Sequence, residues 1–237
     1  MADIGRAPTA ATAGATLPGG AAVRPKPLLR GVSHEFGAIA MLVIGPLLGL
    51  EARGIVAQLC TSIYAFCVTA MLSVSALFHR VTWSPQARVW MRRFDHCAIF
   101  LAIAGTYTAI AGLALPGADA PIVVGTVWAG ALAGIVVRLS WLDAPKWAVA
   151  LPFLLVGWVA AAVMPEMLHS LGGFGFSLVL AGGLLYTVGA VVYARKRPDP
   201  WPKVFGYHEI FHACVLAALT LHLCVVAFFV LPALNHH

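Results

Sequence analysis

Charged side chains are scarce in this chain. Of its 237 residues, 10% are Asp, Glu, Lys or Arg, against about 25% in a typical soluble domain. Hydrophobic residues make up 61% of the chain. This balance excludes an ordinary soluble globular protein and indicates a polytopic membrane protein.

Cysteine is also uncommon, and its distribution excludes a disulfide framework. The five cysteines all fall inside apolar stretches, and no Cys-x-x-Cys spacing occurs. An odd number of thiols at lipid depth does not form a set of paired bridges. We therefore expect small apolar contacts from Cys60, Cys67, Cys97, Cys214 and Cys224.

Acidic residues are the rarest charged type, with nine Asp and Glu against fifteen Lys and Arg. A net charge of +6 is compatible with nucleic-acid binding. However, the basic residues lie in short loops between apolar runs, which is typical of membrane orientation. The chain is therefore predicted to have no nucleic-acid partner.

The N-terminal region lacks an apolar segment ahead of a cleavage site. Residues 1–31 are rich in Ala, Gly, Pro and Thr, which predicts a disordered cytoplasmic tail and no cleaved signal peptide. Residues 32–232 are predicted to form the membrane domain, and residues 233–237 a short outer tail.

Seven apolar runs mark the membrane domain. Most are close to the roughly 20 residues that a bilayer core requires, so the predicted fold is an all-α bundle of seven transmembrane helices. The runs are 34–50, 54–78, 96–115, 121–141, 147–165, 171–194 and 205–232.

Basic residues predict the orientation of this bundle. Fourteen of the fifteen Lys and Arg residues fall on one side of the predicted membrane, and only Arg53 falls on the other. The asymmetry predicts a cytoplasmic N-terminus and an outer C-terminus. We expect a multi-pass protein of the cell membrane, which in this case is predicted to be a bacterial inner membrane.

A metal-binding spacing stands at the head of the last apolar run, where the sequence reads His208-Glu209-Ile210-Phe211-His212. Histidines at i and i+4 lie on one helical face, so both rings can reach one metal ion. Two other readings remain open. Histidines at helix ends can hydrogen-bond lipid headgroups, and H-E-x-x-H also occurs in metalloproteases, with Glu209 as general base.

Further polar residues share this depth at the cytoplasmic ends of helices. Ser75 and His79 lie on one face near the end of the second run, and Asp95 is predicted to begin the third helix. Three imidazoles and a water are the ligands of a catalytic zinc site, and a nearby carboxylate can accept a proton from the water. Alternatively, Asp95 caps its helix or pairs with Arg92 or Arg93.

His222 lies deeper in the last run. It follows His212 by ten residues, which is about 15 Å along a helix. It is expected either to hydrogen-bond inside the bundle or to line a path for substrate or protons.

Three motifs in order resemble the hemolysin III family, which shares a superfamily with the progestin and adipoQ receptors and the alkaline ceramidases. The first helix also opens with Ser33-His34, similar to the family's Thr-His. The motifs are Ser75-x-x-x-His79, Arg93-Phe94-Asp95-His96 and Gly206-Tyr207-His208-Glu209-x-x-His212.

The resemblance implies a seven-helix membrane fold with a zinc site near the cytoplasmic face. It implies His79, His208 and His212 as the Zn²⁺ ligands, with Asp95 and Ser75 beside the water. The superfamily is proposed to hydrolyse lipid amides, whereas the hemolysin III branch is named for a cytolytic phenotype.

Two functional hypotheses follow. In the first, the protein is a zinc-dependent, ceramidase-like hydrolase of a lipid amide or ester, in which Asp95 takes the proton and Ser75 holds the water or the oxyanion. In the second, it is a non-enzymatic cytolytic, pore-forming or membrane-homeostasis protein with a structural zinc. The sequence lacks the long amphipathic segment and ring of charge typical of a pore.

Overall fold

The computed structural model describes residues 26–141 and 145–235. Within those ranges the regular structure is helical, apart from an isolated β-bridge between Trp201 and Phe205. The helices are α1 Val32–Glu51, α2 Ile55–Arg80, α3 Pro85–Ala114, α4 Asp119–Ser140, α5 Lys146–Gly157, α6 Met164–Arg195, α7 Tyr207–Val225 and α8 Leu231–Asn235, with a 3₁₀ segment Val159–Val163 before α6 and a π segment Val226–Val230 after α7.

Helix α3 lies at the centre of the bundle. It packs against α2 and α4, and it also contacts α5, α6 and α7. Helix α1 closes the arrangement by contacting both α2 and α7. Helices α1, α2, α3 and α7 are therefore neighbours, and the site described below is built among them.

Six segments are long and apolar enough to cross a membrane: Val32–Glu51, Ile55–Arg80, Pro85–Ala114, Asp119–Ser140, Trp147–Arg195 and Tyr207–Leu234. They confirm an all-helical, multi-pass membrane protein. The predicted number of seven is not reproduced, because the apolar runs 147–165 and 171–194 join into one helical segment of 49 residues.

That long segment is not straight. The backbone of Gly172 has φ 67° and ψ 170°, a conformation outside the helical region. The indole Nε1 of Trp158 donates a hydrogen bond of 3.0 Å to Oγ1 of Thr187. On one straight helix these residues would be about 43 Å apart. The chain therefore turns back on itself between them, at the glycine that tolerates a positive φ.

Helix α3 begins earlier than the hydrophobic pattern predicts. Asp95 was expected at its first turn, but the helix starts at Pro85, after Ser84, whose Oγ accepts a hydrogen bond from the backbone N–H of Ala87. Serine at the N-cap followed by proline is a strong start signal. Asp95 therefore lies inside the helix and is not its N-cap, which corrects the sequence interpretation.

The outer surface of the bundle is apolar, as expected for lipid contact. Large side chains such as Leu50, Phe66 and Phe228 are mostly exposed, and Leu50 is 81% exposed. The interior is packed with hydrophobic residues, among which Tyr64, Leu72 and Val225 are fully buried. All five cysteines are free thiols, in agreement with the sequence prediction.

Residues 28–31, here called the N-terminal strap, pack onto the bundle. The backbone N–H of Leu28 donates to the carbonyl of Lys203 at 3.0 Å, and that of Leu29 to the carbonyl of Val204 at 3.2 Å. The end of the predicted tail 1–31 is therefore ordered. Residues 1–25 lie outside the described residues, as do His236 and His237 of the predicted outer tail.

Candidate metal centre

Three histidines converge where the end of α2 meets the start of α7. His79 is the second-last residue of α2, and His208 and His212 occupy the first two turns of α7. One ring nitrogen from each lies within 4.8 Å of the others. The i and i+4 spacing turns both α7 rings toward His79, so all three reach a common point.

The distance between two of the three histidines fits tetrahedral coordination, and the nitrogen of the third lies within 4.8 Å of both. The Nε2 atoms of His208 and His79 are 3.2 Å apart. Zinc–nitrogen bonds of 2.0–2.1 Å place two tetrahedral ligands about 3.3 Å apart. The rings of His79 and His208 are inclined by 76°, and those of His208 and His212 by 55°. Three imidazoles inclined in this way approach one point from different directions.

Burial adds to the fit. His79 is 5% exposed and His212 2% exposed. Three imidazoles this close repel one another if all are protonated to the imidazolium cation. Neutral rings can each offer a lone pair to one metal cation. The donor set of three nitrogens is one that zinc favours.

Asp95 and Ser75 lie beside the three histidines. The Oδ2 atom of Asp95 is 4.0 Å from Nε2 of His79, so the carboxylate is close to the site without replacing a ring nitrogen. Both residues line a cavity of about 30 Å³ that His208 and His212 also line. This space is enough for a water molecule. The structure thus brings together all five residues predicted from the sequence.

His34 joins the site, although sequence reasoning gave it no role. Its ring lies parallel to that of His212, with 3.9 Å between centroids and 4° between planes. Its Nδ1 is 2.8 Å from Oγ of Ser75. His34 therefore supports one histidine and positions the serine. The signal available in the sequence was Ser33-His34, at the same depth as the other motifs.

Glu209 has a structural explanation. One carboxylate oxygen accepts a hydrogen bond of 2.8 Å from the backbone N–H of Gly206, which caps the start of α7. The other oxygen pairs with the guanidinium of Arg30. Both carboxylate oxygens of Glu209 therefore have partners, one in the helix cap and one in the N-terminal strap. These contacts account for a glutamate at this position of H-E-x-x-H without a role at a metal.

The strap also fits closely over His79. Gly31 has a φ of 83°, and a Cβ added there would lie 2.6 Å from Cβ of His79. Only glycine permits both this conformation and this approach. The surroundings of the strap are basic: burial, and then the charges of Arg88 and Arg30, lower the pKa of the Lys26 amine below its usual value.

A buried arginine, Arg138, contacts the histidine His96. Nε of Arg138 donates a hydrogen bond of 2.8 Å to Nδ1 of His96, and its Nη1 donates to the carbonyl of Trp141 at 2.9 Å. His96 lines the small cavity, so α4 contributes a cation close to the site. The Nδ1 atom of His96 is bonded to Arg138, and His96 is not one of the three clustered histidines.

A second and larger cavity adjoins the small one inside the bundle. It holds about 130 Å³ and is lined mostly by apolar side chains. The two cavities are neighbours because six residues line both: Met71, Ile99, Phe153, Ala190, Phe211 and Val215. The histidine cluster therefore has an apolar chamber directly beside it.

Fold and site together define a helical multi-pass membrane protein with a cluster of histidines at one end of its bundle. The sequence profile described as "Haemolysin-III related" matches residues 23–223. The chain belongs to the hemolysin III family, which confirms the resemblance in its motifs.

Individual relatives agree with this membership. The chain is 30% identical over 207 residues to Hemolysin-3 of Bacillus cereus, covering 85% of this chain and 90% of the relative. It is 32% identical over 153 residues to the Hemolysin-3 homolog of Bacillus subtilis (strain 168), covering 64% and 68%. It is 24% identical over 197 residues to the monocyte to macrophage differentiation factor of Homo sapiens, covering 80% and 78%.

Proposed function

We propose that this protein is a zinc-dependent hydrolase of a lipid amide or ester. The observation that carries the proposal is the cluster of His79, His208 and His212. Asp95 and Ser75 line a small cavity together with His208 and His212, and an apolar chamber adjoins it. Histidine nitrogens, a carboxylate and a hydrocarbon-lined space are the parts that metal-assisted cleavage of a lipid carbonyl requires.

The three histidines would hold the Zn²⁺ ion. When bound, zinc supplies Lewis acidity, which makes water a better nucleophile near neutral pH and polarises a carbonyl. Among the described residues these are the His, Cys, Asp and Glu side chains close enough to share one ion. The position left open by three protein ligands is the one that a catalytic site needs.

Asp95 acts as the general base and then as the general acid. Its carboxylate accepts a proton from the attacking water and returns one to the departing nitrogen or oxygen. Its 4.0 Å distance from Nε2 of His79 leaves the carboxylate next to the ligand cluster without joining it. Its near-complete burial keeps bulk water from competing for that proton.

Ser75 holds the water or the developing oxyanion. Its hydroxyl lies 2.8 Å from Nδ1 of His34, which fixes the oxygen in place before the substrate arrives. Preorganised polar groups of this kind stabilise charge that appears only in the transition state.

The large cavity receives the hydrocarbon part of the substrate. Its walls are apolar, and six of its lining residues also line the small cavity, so a bound chain would lie beside His208 and His212. An apolar lining of this kind suits the hydrocarbon chain of a lipid better than a polar metabolite.

The topology that accompanies this proposal has seven spans, with the N-terminus in the cytoplasm of a bacterial cell and the C-terminus outside its inner membrane. The backbone reversal at Gly172 supports two spans within residues 147–195. The basic loops support the orientation. Alkaline phosphatase fused after His237 would be active under this topology and inactive if the chain crosses six times.

The test of the enzymatic proposal joins metal analysis with a lipid panel. Purified wild type should contain zinc and hydrolyse at least one ceramide, other lipid amide or lipid ester. His208→Ala should lose both properties. Wild type that retains zinc and cleaves nothing in a broad panel would contradict the enzymatic proposal.

The second candidate is a cytolytic, pore-forming or membrane-homeostasis protein with a structural zinc. The name of the Bacillus cereus relative, Hemolysin-3, favours it. Purified protein would then release dye from liposomes, and His208→Ala would abolish release. Hydrolysis without dye release would count against this candidate.

A further inference from the structure

His222 lies at the far part of the large cavity from the metal centre. It is on α7, ten residues after His212, which corresponds to about 15 Å along the helix axis. The side chain lines the large cavity and is 8% exposed. It is a polar group in a chamber that is otherwise mostly apolar, and the hydrolytic mechanism does not use it.

The hydrogen bond of this imidazole identifies which nitrogen carries the proton. Nε2 of His222 lies 3.2 Å from the backbone carbonyl oxygen of Val179 on α6. A carbonyl only accepts, so Nε2 is the donor. In a neutral imidazole the other nitrogen is then an acceptor. That atom, Nδ1, is buried and has no hydrogen-bond partner among residues 26–141 and 145–235.

The position of the ring is set by its neighbours. A Cβ added at Gly182 would lie 2.3 Å from Nε2 of His222, so the glycine provides the space that the imidazole occupies. The ring of Tyr186 packs against it, with 5.7 Å between centroids. Helix α6 thus holds the imidazole in one orientation with one acceptor nitrogen unused.

A buried acceptor without a partner is costly, and buried polar atoms normally find one. We propose that Nδ1 of His222 accepts a hydrogen bond from a hydroxyl group on the hydrocarbon chain of a bound lipid. This inference rests on the proposed function in one respect, because it requires the large cavity to hold a lipid chain. It adds a chemical requirement: a hydroxyl roughly 15 Å from the metal centre.

The chemistry of the acceptor makes the requirement selective. A hydroxyl can donate to Nδ1, whereas a keto or ether oxygen cannot. A plain alkyl chain leaves the acceptor unpaired and covers it at the same time. The site should therefore prefer a hydroxylated chain to a chain of the same length without the hydroxyl.

The experiment compares oleic acid with ricinoleic acid, which differ by a hydroxyl well along the chain. Binding of each to full-length protein in nanodiscs is measured by competition against a fluorescent fatty acid. Wild type should prefer ricinoleic acid by about two- to tenfold, the range expected for one buried hydrogen bond. His222→Phe should remove that preference, while His222→Gln, which keeps an acceptor, should retain part of it.

Two further variants separate a specific site from a general effect on the bundle. Gly182→Ala leaves His222 in the chain but displaces its ring, so the preference should fall as in His222→Phe. Thr220→Val changes an exposed polar residue of the same helix, whose hydroxyl only bonds the carbonyl of Leu216, and should leave the preference unchanged.

Equal affinity of wild type for the two acids would overturn the proposal, since it would show that water or another group serves Nδ1. A preference that persists in His222→Phe would overturn it as well, and so would failure of wild type to bind either acid. Hydrolysis is read separately: if no lipid is cleaved but the hydroxyl preference is present and depends on His222, the enzymatic proposal fails and this inference stands.

Discussion

The imidazole of His34 stacks flat on that of His212, with 3.9 Å between ring centroids and 4° between ring planes. The same His34 ring contacts the hydroxyl of Ser75 through Nδ1 at 2.8 Å. One residue of α1 therefore supports a proposed metal ligand on α7 and a proposed catalytic hydroxyl on α2. This arrangement allows the two contributions to be separated by mutation.

His34→Phe keeps a flat ring against His212 and removes the bond to Ser75. We expect zinc binding to persist and turnover to fall by about tenfold or more, because the hydroxyl loses its orientation. His34→Ala removes both contacts, and zinc affinity should also fall by about 10- to 100-fold, as for other supports of metal ligands. Zinc titration and single-turnover hydrolysis measure the two effects. Equal zinc affinity in the two variants would show that the stack does not support His212.

Asp95→Asn tests the assigned base without changing the side-chain size. The amide cannot accept a proton from water, so turnover should fall by about 10²- to 10⁴-fold. Zinc content should be unchanged, because Asp95 is not one of the three ligands. Retained turnover would exclude Asp95 as the base, and loss of zinc would make it a ligand instead.

Glu209→Gln separates the structural role of this residue from a protease-style base. The Gln side chain can still accept a hydrogen bond from the N–H of Gly206, but it is neutral and cannot form the ion pair with Arg30. We expect a loss of roughly 1.5–3 kcal/mol in stability, the range for a hydrogen bond to a charged group. Thermal unfolding should show this loss, with zinc content and turnover per folded molecule preserved.

The partner residue provides the control. Arg30→Gln should cause a similar loss of stability, and the double variant should lose less than the sum of the two, because both changes remove one ion pair. Additive losses would show that the pair contributes no coupling. Abolished turnover in Glu209→Gln with zinc retained would restore the metalloprotease reading of H-E-x-x-H.

Gly105→Ala tests the packing of α3 against α2. A Cβ at Gly105 would lie 2.6 Å from Cβ of Cys67, so the helices must separate, at a cost of about 1–3 kcal/mol. Gly125→Ala on α4 is the matched control, since no atom lies within 4 Å of its added Cβ. Thermal unfolding in the same detergent should show a lower midpoint for the first variant only. Equal midpoints would contradict this packing.

Much of the site was predictable because its residues carry strong local signals. The i and i+4 spacings of Ser75 with His79 and of His208 with His212 specify shared helix faces. The helix ends specify a shared depth. The prediction that Asp95 lies beside these histidines agrees with the structure, in which its carboxylate is 4.0 Å from His79.

Other features were not predictable because they depend on contacts between distant segments. The pairing of Glu209 with Arg30 joins residues 179 positions apart, and no spacing rule covers such a contact. Hydrophobicity predicts too late a start for α3, because the helix begins with the polar, charged turns that follow the cap at Ser84 and Pro85. Hydropathy also does not locate the backbone reversal at Gly172, which lies within the single 49-residue segment that contains the apolar runs 147–165 and 171–194.

The most direct test of the central claim is the zinc content of purified full-length protein, measured by mass spectrometry for wild type, His208→Ala and the distant control Thr220→Val. The three-histidine centre predicts about one zinc per chain in wild type and in the control, and little in His208→Ala. Equal zinc in all three proteins, or none in wild type supplied with zinc, would contradict the assignment of His79, His208 and His212 as a metal centre.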